Sequence, residues 1–112
     1  MTDEGRLPAS LEVSSLIRRV AAAGGFAAVL KKGEPDAGTI ALVCREKNGN
    51  QRLMERLPQP DGTRLWTPTR TQVPEEQAEF DAYLSRRGDQ DPDLWIVELD
   101  IPNPERFIGT LG

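Results

Sequence analysis

Three short β-forming runs inside residues 24–57, GGFAAVLKKGEPDAGTIALVCREKNGNQRLMERL, constrain this chain more than any other stretch. Two turn signals separate them. The sharper is Asn48-Gly49, a pair that tolerates the positive φ angles of a tight hairpin. The other is KKGEPDAG, punctuated by Gly33, Pro35 and Gly38 and read as a hairpin turn. FAAVLKK is apolar on both faces until Lys31. In TIALVCREK, Ile40, Leu42 and Cys44 take one face and Ala41 and Val43 the other. Strands apolar on both sides belong in the middle of a covered sheet, so 26–31 and 39–45 are expected to be central. QRLMERL carries apolar Leu53 and Leu57 among charged residues and is expected nearer an edge.

The flanking segments supply helices. In LPASLEVSSLIRRVAAAGG, Val13, Leu16, Ile17, Val20 and Ala21 recur at helical spacing. Pro8 suits its first turn, Ser10 or Ser14 could cap it, and Gly24-Gly25 ends it. PEEQAEFDAYLSRRG is a second helix, with Phe80, Tyr83 and Leu84 inward and Gly88 as its stop. LWIVELD, apolar on both faces, predicts a further central strand over 94–99. Asn103-Pro104 reads as the cap of a short final helical turn carrying Phe107 and Ile108. Residues 58–73, rich in Pro, Gly and Thr, read as a loop of about sixteen residues with at most a short strand at Arg64–Thr67. The fold class is therefore α/β or α+β: a single small domain over residues 7–112 behind a mobile tail at 1–6. The order is α-β-β-β-α-β-α, with a mixed or mainly antiparallel sheet of four or five strands and helices covering both its faces.

A resemblance runs through most of these segments. RLPASLEVSSLIRRVAAAGGFAAVLKKGEPDAGTIALV and the later DPDLWIVELD resemble an uncharacterised bacterial family, domain of unknown function family 1491. The order of the pieces carries it: a helix with paired arginines, a small-residue turn into FAAV, a basic residue and glycine, then DAG before the next strand. It spans nearly the whole chain apart from the first few residues and the 58–72 loop. The resemblance implies a small intracellular α/β domain and brings no catalytic residues with it.

Composition narrows the chemistry. The 112 residues contain no histidine and one cysteine, Cys44. That removes Ser-His and Cys-His nucleophile pairs, an internal disulfide and a cysteine-based zinc site. No metal site or cofactor is expected. D-x-D-x-D at Asp89, Asp91 and Asp93 lacks the glycine and distal glutamate of a calcium loop and reads as a solvated connection. KKGEPDAG precedes a strand, whereas a phosphate loop leads into a helix. The acidic polar N-terminus is not a signal peptide, and no apolar run is long enough to span a bilayer, so a cytoplasmic protein without membrane contact is expected.

Three functional classes remain. A non-catalytic interaction or adaptor domain with a protein partner ranks first. Its candidate surface is Trp66 with Arg64 and Arg70, an aromatic flanked by arginines. An anion- or nucleic-acid-binding module ranks second. Eleven of the fourteen basic residues are Arg, and Arg18, Arg19, Arg45, Arg52 and Arg56 could form a patch despite a net charge of −4. Glu46 and Glu55 compete with ligand for those arginines. A carboxylate enzyme using Glu98 and Asp100 at a strand end ranks third. Trp95 is expected in the core, and Cys44 is expected buried and inert.

Overall fold

A computed structural model describes residues 7–46 and 48–111; the tail expected at residues 1–6 lies outside the described residues. Helix α1 spans Ala9–Ala22, strand β1 Phe26–Lys31, β2 Ile40–Arg45, β3 Gln51–Pro58 and β4 Arg64–Gln72. A 3-10 turn at Pro74–Glu76 leads into α2, Gln77–Gln90, followed by β5, Trp95–Asp100, and α3, Pro104–Gly109. The sheet is mixed, in the order β1-β5-β2-β3-β4. β5 runs antiparallel to β1 and parallel to β2; the other pairs are antiparallel.

Side-chain alternation gives the sheet two apolar faces. On one, Ile40, Leu42, Cys44, Trp95, Val97 and Leu99 pack with Val13, Leu16 and Val20 of α1 and Phe107 and Ile108 of α3. On the other, Ala41, Val43, Leu53 and Ile96 pack with Phe80 of α2. The result is three layers, helices on both faces of the sheet. Phe80 is fully buried, and Tyr83 and Leu84 border its cluster.

Four expectations about the sheet and the helix N-termini are corrected. First, β1 and β2 form no hairpin, because β5 lies between them. The intervening loop instead crosses the start of β5: Glu34 N–H donates to the Asp93 carbonyl at 3.1 Å, and Trp95 Nε1–H donates to the Glu34 carbonyl at 2.8 Å. Second, β1 is an edge strand despite its apolar faces, with Phe26 69%, Val29 41% and Leu30 50% exposed. Third, residues 64–72 form a nine-residue strand, which moves β3 off the edge. The turn before it is made by Asp61-Gly62, with Gly62 at φ +89°. Fourth, serine and asparagine side chains do not cap the helices. The first N–H groups of α1 are satisfied by the same loop, Ala9 donating to the Asp36 carbonyl and Ser10 to that of Pro35. Asn103 is left-handed, at φ 54°, with no side-chain cap bond.

α2 runs two residues past Gly88, because that glycine makes room rather than a stop. A Cβ there would come within 2.8 Å of Lys31 Cδ. Lys31 passes over it so that its Nζ donates to the carbonyls of Pro92 and Leu94, each at 2.8 Å.

The loop over β5 leaves no space at Gly33, where a Cβ would stand 2.7 Å from the Leu94 carbonyl carbon and from Trp95 Cδ1. Gly33→Ala is expected to lower stability in urea melts by about 2–3 kcal/mol, the usual scale of overpacking against backbone. Gly109→Ala, in helix α3 with open space around it, is expected to raise stability by about 0.5–1 kcal/mol.

Candidate functional site

Trp66, near the start of β4, borders one cleft beside α1 and another under α3. Arg56 and Trp66 are opposite partners on the two strands, so both project to the α1 face. The Arg56 guanidinium lies 4.8 Å from the centroid of the Trp66 ring, within cation–π range. Its outer side meets Glu12 of α1 at 2.8 Å. Trp66 is half-buried and packs against the first core cluster.

Between α1 and this pair lies a cleft of about 330 Å³, walled by Leu16, Ile40, Trp66 and Leu111 and rimmed by Glu12, Ser15, Arg19 and Arg56. On the other side of the indole a second hollow of about 430 Å³ runs under α3, past Met54, Leu65, Pro68 and Ile108, with Arg52 and Glu105 at its edge. Each is of ligand-pocket size. Arg19 links the two helices that border the clefts, donating to the Thr110 carbonyl at 3.1 Å and to its hydroxyl at 3.2 Å. The two clefts together offer apolar floors, one indole and three guanidiniums, Arg19, Arg52 and Arg56, against two carboxylates, Glu12 and Glu105. They suit recognition of an apolar segment carrying negative charge.

The fold and this surface can be set beside known proteins. Residues 7–109 match the family described as Protein of unknown function (DUF1491). The chain belongs to the DUF1491 family. It is similar to the crystal structure of a DUF1491 family protein from Caulobacter crescentus CB15, at 32% identity and a TM-score of 0.76, covering 92% of this chain and 94% of that one. An NMR structure of a DUF1491 protein from the same organism gives 32% identity and a TM-score of 0.73, with 90% and 91% covered. The solution structure of protein Atu0922 from A. tumefaciens gives 37% and 0.73, with 91% and 92% covered. No curated protein matches the chain.

In this DUF1491 chain the residues singled out from sequence are dispersed. Arg64 is exposed at the start of β4, beside a smaller cavity. Arg70 lies beyond a bulge, where the register shifts between Leu53 and Met54. The bulge turns Arg70 to the opposite face, and its guanidinium stacks 4.3 Å from the Tyr83 ring centroid of α2. Only Trp66 of that trio borders the clefts beside α1 and α3. The arginine patch divides in the same way. Arg45 pairs with Glu98 at 3.2 Å on the α2 face. Arg52 pairs with Glu105 and Glu46, and Arg56 with Glu12. Arg18 is exposed on α1. Together with Arg87–Glu55, these pairs tie β3 to all three helices. Arg56, placed among the anion-binding candidates, is the actual neighbour of Trp66, a pairing visible only once β4 exists.

Glu98 is held by Arg45 and by Gln51 Nε2 at 3.3 Å, and Asp100 is exposed; neither borders the Trp66 clefts. Among the described residues no cluster of three or more carboxylates or thiols is arranged to hold a metal ion. No described helix is long and apolar enough to cross a membrane.

Cys44 is buried under α3. Burial pushes its thiol up to about 12, against a smaller opposing pull from Arg52. The folded thiol thus keeps its proton at pH values where the unfolded thiol, with an ordinary value of 9.0, loses it. Its contribution is complete below the unfolded value and is lost as pH rises towards the folded one. Cys44→Ala removes this dependence. Compared with the parent, its stability is expected to fall less steeply between pH values of about 9 and 10.5, by up to ~1.4 kcal/mol per pH unit in urea melts.

Proposed function

We propose that this DUF1491 protein is a non-catalytic interaction module that seats a short apolar, acidic segment of a partner protein beside Trp66. The observation carrying this reading is the Arg56–Trp66 stack standing between two clefts of about 330 and 430 Å³. A half-buried tryptophan under an arginine presents a large rigid area at small entropic cost, the combination enriched at the centres of interfaces. Leu16, Ile40, Met54 and Ile108 supply apolar walls, and Arg19 and Arg56 outnumber Glu12 at the rim. A carboxylate on the incoming segment would compete with Glu12 for Arg56 or engage Arg19, which selects partners by charge as well as shape. Four of the five arginines considered for an anion patch already meet an acceptor within the chain, which favours a peptide over a polyanion.

A displayed peptide library selected on the intact protein tests this. Enrichment of apolar sequences bearing Asp or Glu is expected, with quenching or shift of tryptophan emission on binding. Trp66→Ala is expected to weaken selected peptides at least about tenfold, the scale of a hot-spot residue. Being half-buried, Trp66 should contribute about 1–2 kcal/mol to folding, below the ~3–5 of a fully buried tryptophan. Undiminished binding by Trp66→Ala would remove the proposal.

A further inference from the structure

The first described residue stands at one of the clefts. Leu7, exposed, borders the cleft of about 330 Å³ together with Glu12, Leu16, Arg19, Arg56 and Trp66. The six residues before it, outside the described ones, read Met1-Thr2-Asp3-Glu4-Gly5-Arg6. They continue the chain from the mouth of that cleft. Their charges complement it: the cleft sets Arg19 and Arg56 against one carboxylate, Glu12, and the segment sets Asp3 and Glu4 against one guanidinium, Arg6.

The lengths agree as well. An extended chain spans at most about 3.5 Å per residue, so Glu4 and Asp3 reach about 10–14 Å from Leu7. Arg56 meets Glu12, in the first turn of α1, at 2.8 Å, which places its guanidinium at the end of the helix next to Leu7. Arg19, on the same helix, stands about 10 Å further along it than Glu12, at ~1.5 Å per residue. Gly5, between the acids and Leu7, admits a reversal of the chain.

We infer that Asp3 and Glu4 occupy the cleft beside α1 as an intramolecular competitor, which a partner segment must displace. The inference rests on the reading of this cleft as a site for an apolar acidic segment, because Leu7 with Asp3 and Glu4 has that same chemistry. Tethering favours the chain's own residues over a free peptide. A short link holds them at roughly millimolar effective concentration. A contact with a dissociation constant of about 1 mM is then half occupied and weakens an outside peptide about twofold; one ten times tighter weakens it about tenfold. A partner that also fills the hollow under α3, which Leu7 does not border, gains the contacts needed for displacement.

Indole NMR resonances of the full chain read this contact without a partner. Of the two tryptophans, Trp95 is buried and its Nε1–H donates to the Glu34 carbonyl, so Trp66 is the one open to such a change. The double change Asp3→Asn with Glu4→Gln is expected to move the Trp66 indole resonance. The same variant is expected to bind peptides selected on the protein about two- to tenfold more tightly. Glu75→Gln with Glu76→Gln, both exposed ahead of α2, alters net charge equally and is expected to change neither reading. An unmoved Trp66 resonance overturns the inference. So does an unchanged affinity for peptides that require Trp66. An equal gain from the Glu75 and Glu76 changes also overturns it, because net charge alone then accounts for the effect. If neither chain selects any peptide, the reading of the cleft as a peptide site falls, and the Trp66 resonance alone decides whether Asp3 and Glu4 lie there.

Discussion

The loop between β1 and β2 fixes the rest of the molecule by closing over the first residues of β5. Its Glu34 carbonyl accepts from the Trp95 indole at 2.8 Å, and the Thr39 carbonyl accepts from the Trp95 backbone N–H at 2.8 Å. Further along, the Pro35 and Asp36 carbonyls close the N-terminus of α1. One segment therefore positions the last strand and the first helix together. Because β5 enters between β1 and β2, it is bonded on both sides and buried on both faces. The two core clusters consequently meet at a shared sheet and need no further cross-link.

Ion pairs then set where the helices lie on that sheet. β3 offers Arg52 and Arg56 to α3 and α1 on one face and Glu55 to Arg87 of α2 on the other. Exposed pairs of this kind contribute little each, about 0–1 kcal/mol. Their value here is registry: every helix has one charged contact that a slide along the sheet would break. The Arg56–Glu12 pair also holds the guanidinium beside the Trp66 ring, so the same contact that docks α1 shapes the candidate site.

Much of this was legible in the sequence. The helical spacing of Val13, Leu16 and Val20, the stop at Gly24-Gly25, the Asn48-Gly49 hairpin and the two-sided apolar pattern of β5 all predict what the structure contains. Where the reading failed, a physical reason is at hand. Phe26, Val29 and Leu30 carry the pattern of a central strand, but apolarity does not say which neighbour covers it, and here a large part of that surface is open. The sequence predicts only the first part of β4, Arg64–Thr67, because RLWTPTRTQ has no apolar alternation. Its paired positions face the rim of the sheet, and Asp61-Gly62 was the one local sign of a hairpin. Without β4, Trp66 reads as a loop residue flanked by Arg64 and Arg70. With it, the cross-strand partner is Arg56 and the bulge removes Arg70 to the other face. Sequence adjacency misled where strand pairing decides proximity.

The central claim is that β5, locked under the 32–39 loop, is the last element to come apart. Native-state hydrogen exchange measures this residue by residue. The amides of Val97 and Leu99 should exchange only with global unfolding, at the free energy found from denaturant melts, while β4 and the outer amides of β1 open at lower energy. Exchange of Val97 and Leu99 through a local opening, more easily than the β2–β3 hairpin, would contradict the account.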